Sequence, residues 1–121
     1  MSFDTDDLAR LAAAQEVEIE TQPPDGPPHR TTIWIVVDGE EAFIRSYRGP
    51  TARWYREALA NPAVAVHAGD RRLSATAIAA TDPDSIERVS AGLWAKYPDD
   101  PATKAMVAPD NLPTTLRLEP A

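Results

Sequence analysis

Residues 31–38, Thr-Thr-Ile-Trp-Ile-Val-Val-Asp, put Ile33, Ile35 and Val37 on one side of an extended chain and Trp34 and Val36 on the other, so both faces are apolar. A strand of that kind must be covered on both sides, which places it inside a layered or closed β structure rather than on a wet sheet. Asp38-Gly39 follows, a dipeptide favoured in tight hairpin turns, and residues 42–46 read as the returning strand.

The flanking segments supply what covers it. Residues 16–21 alternate Val17 and Ile19 with Glu18 and Glu20, a strand with one wet face, and Leu8, Leu11 and Ala12 predict a short preceding helix from Asp4 or Thr5 to about Gln15. Pro23, Pro24, Gly26, Pro27 and Pro28 impose a loop. Gly49-Pro50 opens a helix that Asn61-Pro62 closes, with Trp54 and Ala58, then Tyr55 and Leu59, forming an apolar face. Residues 63–68 and 71–81 form a strand pair around Gly69-Asp70, and Asp82-Pro83 caps a helix carrying Ile86, Val89, Leu93 and Tyr97 on one face. Residues 98–113 are a proline-interrupted loop with one or two helical turns at 102–108, placed as a lid, and residues 114–119 are a closing strand.

This order predicts one α+β domain over residues 1–121, a six-stranded, mainly antiparallel barrel with peripheral helices. The exposed faces left by six strands and Trp34 predict a second copy of the chain, hence a homodimer.

Several function classes are disfavoured. With no cysteine, the chain has no thiolate nucleophile, iron–sulfur cluster or sulfur-ligated zinc. The acidic start and the lack of a long apolar run argue for a cytoplasmic location without membrane contact. A net charge of −7 argues against nucleic acid. Within that acidic chain, Arg45, Arg48, Arg53 and Arg56 fall in a gap between Glu41 and Glu57 that holds no acid, which suits a small anion. The plainer reading of part of this cluster is a solvated helix face with Arg53 and Glu57 paired at i,i+4. His29 and His67 stand far apart and predict no metal site, and His29 is instead expected to line a ligand pocket. Ser46 lacks the surroundings of a hydrolase nucleophile.

The run from Thr31 to Gly39, Ile44-Arg45-Ser46, Trp54-Tyr55 and Leu59-Ala60-Asn61-Pro62 resemble the split β-barrel flavin-binding superfamily, which includes pyridoxamine phosphate oxidase-like proteins and deazaflavin-dependent reductases. The resemblance covers roughly residues 29 to 97 and is similar to short bacterial members. It implies that Ser46, Arg48 and Gly49 hold a cofactor phosphate, joined by Arg45, Tyr47 and Arg53, with the ring system near Arg30, Thr31, Thr32 and Trp34. Trp54 and Tyr55 are expected chiefly in the core. The implied cofactor is FMN or 8-hydroxy-5-deazaflavin, between which the sequence does not choose. The implied activity is hydride transfer to a small-molecule substrate, with Tyr47 or Tyr55 as a proton donor or positioning group. A non-catalytic flavin or haem binder and a cofactor-free dimeric interaction domain are the alternatives.

Overall fold

A computed structural model describes residues 2–121. Seven strands form a single antiparallel sheet: β1 (Val17–Thr21), β2 (His29–Ile33), β3 (Val36–Asp38), β4 (Glu41–Ile44), β5 (Ala63–Ala68), β6 (Arg71–Ala79) and β7 (Leu116–Pro120). Their order across the sheet is β2-β1-β5-β6-β7-β4-β3. The two outermost strands, β2 and β3, are thus neighbours in sequence, separated only by Trp34 and Ile35. A sheet whose opposite edges are joined by two residues has to curl until those edges approach, which makes an incompletely closed barrel.

This corrects the expected six strands, because residues 31–38 form two short strands rather than one. Ile33 pairs with Val17 of β1, whereas Val36 pairs with Phe43 of β4. No single straight strand serves partners at opposite ends of the sheet order. At the break, Ile35 is fully buried and its carbonyl accepts from Lys96 Nζ at 2.8 Å instead of from a neighbouring strand. Trp34 stacks on Tyr97 with ring centroids 3.8 Å apart. The doubly apolar pattern of this run therefore reports a crossing between two cores.

The β3–β4 hairpin turns on Gly39-Glu40, one residue later than expected, because Asp38 still pairs with Glu41. Gly39 has φ +62°, the left-handed value that the first central residue of a type II′ turn needs and glycine supplies without strain.

Four α-helices surround the sheet: α1 (Thr5–Ala13), α2 (Arg53–Ala60), α3 (Pro83–Lys96) and α4 (Ala102–Met106). Asp4 and Asp82 cap α1 and α3 by accepting from the backbone N–H groups of Asp7 and Ser85. The helix expected from Gly49 does not start there. Gly49–Thr51 make one 3₁₀ turn, Ala52 is extended at ψ 133°, and α2 begins only at Arg53.

Two apolar clusters hold these layers. The larger fills the barrel with Ile19, Ile35, Ile44, Val66 and Leu116 and takes in Leu11 of α1 and Trp54 of α2. The smaller lies between the other face of β3 and β4 and helices α3 and α4, from Val36, Phe43, Val89, Leu93, Tyr97 and Met106. Gly92 gives α3 a smooth surface there, since an added Cβ would collide with Val36 Cγ1. No helix among the described residues is long and apolar enough to cross a membrane.

Candidate functional site

A cavity of about 660 Å³ opens where the barrel is split. One wall is the end of β2 and the crossing, with Thr31, Thr32, Ile33 and Trp34; Glu16 lies beside it. The opposite wall is the segment entering α2, with Tyr47, Arg48, Thr51, Ala52, Arg53, Trp54 and Arg56. Arg45, Ala102 and Met106 complete the lining, so the loop expected as a lid does border the cavity, through α4.

The expected site residues divide clearly. Thr31, Thr32, Trp34, Arg45, Tyr47, Arg48 and Arg53 line this one cavity. Arg30, Ser46 and Gly49 do not. Arg30 lies on the exposed face of β2 and pairs with Glu18 at 2.6 Å. Ser46 is fully buried, its Oγ donating to Gly49 O at 2.8 Å and its N–H donating to Thr114 Oγ1 at 3.0 Å. Gly49 turns at φ +68° against Asn111, whose amide donates to Tyr47 O at 3.0 Å. Ser46 and Gly49 therefore shape the loop that presents Tyr47 and Arg48.

Arg45 is placed differently from the other arginines, being only 2% exposed. Its guanidinium donates to Thr115 Oγ1 at 2.8 Å, Ser90 Oγ at 2.9 Å, Ile86 O at 3.0 Å and Met106 O at 3.2 Å. These bonds tie β4 to α3, to the end of α4 and to the residue before β7. None of the four partners is a carboxylate. Burial lowers the pKa to about 10, so the group stays charged near neutrality and leaves uncompensated positive charge at the cavity floor.

The entrance to α2 is positive for a second reason. Its N-cap is Ala52, which has no side chain to accept from the free N–H groups of the first turn, and that turn contains no acid. Arg53 occupies the first helical position and Arg56 the fourth, cations at the end of the helix dipole that already carries positive charge. Among the described residues, no carboxylate lies within ion-pair distance of Arg48 or Arg56, and Glu57 approaches Arg53 at 3.8 Å.

Glu57 itself is largely engaged elsewhere. It accepts from Thr21 Oγ1 at 2.7 Å and meets His29 Nδ1 at 2.9 Å. Burial alone would raise its pKa, but the hydrogen bonds from His29 and Thr21 and the charges of His29 and Arg53 hold it below the usual range. His67 likewise meets Glu20 at 2.7 Å. Both histidine–glutamate contacts join residues distant in sequence, so neither spacing nor periodicity signalled them. Trp54, expected chiefly in the core, borders the cavity as well, and Glu16, Arg56, Ala102 and Met106 enter it because the curled sheet brings four separate segments to one split. Among the described residues, no three histidine, cysteine or acidic side chains cluster as a metal site would require.

Solved structures share this architecture. A protein of Listeria innocua provisionally assigned as a pyridoxamine 5′-phosphate oxidase matches 95% of this chain and 90% of its own at a TM-score of 0.69 and 19% identity. An F420-H2-dependent reductase, FDR-A, matches 86% of this chain and 93% of its own at 0.69 and 22%. The haem storage protein HutZ of Vibrio cholerae matches 100% and 92% at 0.71 and 16%. No functionally curated protein matches the sequence. At these identities the likeness defines the fold alone, a split β-barrel. A family model described as "Uncharacterized protein conserved in bacteria (DUF2255)" matches residues 7–118, nearly the whole chain, and the protein belongs to that family.

Proposed function

We propose that the cavity binds a phosphate-bearing flavin-type cofactor, FMN or a phosphorylated derivative of 8-hydroxy-5-deazaflavin, and that the protein is an oxidoreductase acting on a small molecule by hydride transfer. The observation that carries this reading is the set of Arg48, Arg53 and Arg56 around an α2 N-terminus with no cap and no first-turn acid. Cations placed there oppose the helix dipole, and an anion reverses the sign of that interaction while accepting the free N–H groups.

The remaining lining fits such a ligand. A volume of about 660 Å³ lies in the range of cofactor pockets. Arg48 and Arg53 supply forked donors for phosphate, and the α2 backbone supplies further ones. Trp34, braced from behind by Tyr97, offers a rigid flat wall beside the Thr31 and Thr32 hydroxyls for a ring system. Met106, Ile33 and Trp54 keep the inner surface apolar and exclude water. When bound, such a cofactor supplies the hydride chemistry, and these residues supply position.

FDR-A, described as F420-H2-dependent, gives the deazaflavin alternative its weight, and HutZ raises a haem-binding one. Neither His29 nor His67 lines the cavity, which leaves haem without a histidine ligand and favours the flavin-type reading. Exposed Tyr47 and Trp94 are consistent with a homodimer, which light scattering after size-exclusion chromatography would measure.

The decisive experiment is an absorption spectrum of the purified protein with mass spectrometry of whatever denaturation releases, followed by titration with FMN. A bound flavin or deazaflavin, or quenching of FMN fluorescence on addition of protein, supports the proposal. A colourless protein that quenches neither FMN nor a deazaflavin refutes it.

A further inference from the structure

Arg53 and Arg56 also line a second, smaller cavity of about 390 Å³ on their other side. Its remaining wall is the Gln22-Pro23-Pro24 loop and the end of α2, with Glu57, Ala60 and Asn61. The two arginines are thus a shared partition between two cavities.

The polar groups of the smaller cavity are mostly donors. Asn61 Oδ1 accepts from the Ala63 N–H at 3.2 Å, which turns the role left to the amide nitrogen into donation. Gln22 Nε2 is spent on Pro23 O at 3.0 Å and Gly26 O at 3.1 Å, which fixes the proline loop and leaves Oε1 as its side-chain acceptor. The lone acid, Glu57, has its oxygens occupied by Thr21 and His29. The wall is largely apolar, from Pro23, Pro24 and Ala60, and the polar groups set into it as donors are two guanidinium groups and the Asn61 amide.

The geometry points to a second anion subsite in this cavity, which takes a carboxylate or phosphate group lying across Arg53 and Arg56 from the ligand of the larger one. Only the identity of that neighbouring ligand rests on the cofactor reading above. The smaller volume suits a single charged group better than a second ring system, and of the two shared arginines Arg56 is the one with no carboxylate within ion-pair distance among the described residues.

Succinate, FMN and FAD are suitable probes, followed by nitrogen-15 NMR of side-chain amides and indoles. Asn61 and Gln22 report on the smaller cavity, and Trp34 and Trp54 on the larger. Succinate is expected to move the Asn61 and Gln22 amides and leave the indoles in place. Ala60 borders only the smaller cavity and is exposed, so Ala60→Glu should weaken succinate by about tenfold and Ala60→Lys should strengthen it, with FMN affinity within about twofold in both. FAD binding tighter than FMN, with the advantage lost in Ala60→Glu, identifies the second anion as part of the same ligand. Equal FAD and FMN affinities, with succinate bound beside FMN, identify a separate small acid. Amides unmoved by succinate up to about 50 mM, or moved equally in Ala60→Glu, overturn the subsite. Indoles unmoved by FMN count against the cofactor reading instead, and the succinate result still decides the subsite.

Discussion

Lys96 Nζ donates to the carbonyl oxygen of Ile35 at 2.8 Å, at the point where the chain passes from one edge of the sheet to the other. The same nitrogen donates to Leu11 O at 3.2 Å, so one ammonium fastens the crossing to α1 and α3 together. Burial lowers its pKa from 10.5 to about 8. Between those values the unfolded chain holds the proton that the folded one has released, so stability increases with pH across this window. An increase of about 1 kcal/mol between pH 8 and 9.5 is expected, less than the full shift implies because the side chain is only half-buried. Urea unfolding across that range checks it, and Lys96→Met should flatten the increase.

Arg48 is exposed and, among the described residues, free of any ion pair, so its removal is expected to leave the fold intact while taking away charge-assisted donors. Arg48→Ala is expected to weaken FMN by about 10- to 100-fold with stability changed by less than about 0.5 kcal/mol. Fluorescence titration and a thermal melt measure the two separately. Unchanged affinity would remove Arg48 from the proposed phosphate site.

Arg45 predicts the reverse pattern. Arg45→Met removes a buried cation, which lifts a desolvation penalty, but it leaves Thr115, Ser90, Ile86 O and Met106 O without their donor. Two of those acceptors are hydroxyls that can turn to other partners, so the expected loss is about 2 kcal/mol rather than the sum of four bonds. Chemical denaturation gives the value, and a stability equal to wild type would show the network to be dispensable.

Gly92→Ala sets two effects against each other. Alanine gains about 1 kcal/mol of helix propensity, while forcing a methyl group into Val36 costs about 1–3 kcal/mol. A net loss is expected. Val36→Ala should turn the same substitution favourable, which a double-mutant cycle would detect as strong coupling.

Local chemistry made much of the fold legible in the sequence. The cap at Asp82 and the alternation of Val17 and Ile19 act over a few residues and appear where their own residues place them, and the hairpin at Gly39 is displaced by one residue only. The break at Trp34-Ile35 was not legible, because an unbroken apolar run is compatible with one long strand or with two short ones in different cores. Only the register of β2 on β1 and of β3 on β4 separates these cases. The start of α2 was misplaced for a related reason: Gly49-Pro50 initiates a 3₁₀ turn as readily as an α-helix.

The site was legible in its charge and illegible in its depth. Four arginines in a gap without acids marked the region, yet nothing in their spacing separated Arg45, which is fully enclosed, from Arg48, which is exposed. Ser46 and Gly49 stood next to the cluster in sequence but are turned into the loop's own hydrogen bonds. Glu16 and Met106 come from segments far along the chain in both directions, and their presence depends on the curl of the sheet.

The two-residue crossing also fixes a dimension. Ile33 on one rim of the split and Val36 on the other are three residues apart, so the backbone holds them within roughly 10–11 Å whatever the surrounding contacts do. At that end the slot behaves as a calliper locked by covalent bonds, and substitutions in its walls change what it grips without widening the jaw. Under the proposed cofactor reading, a ligand would be gauged for thickness at the Trp34 end, and adaptation to larger ones would fall to the side of α2 and α4.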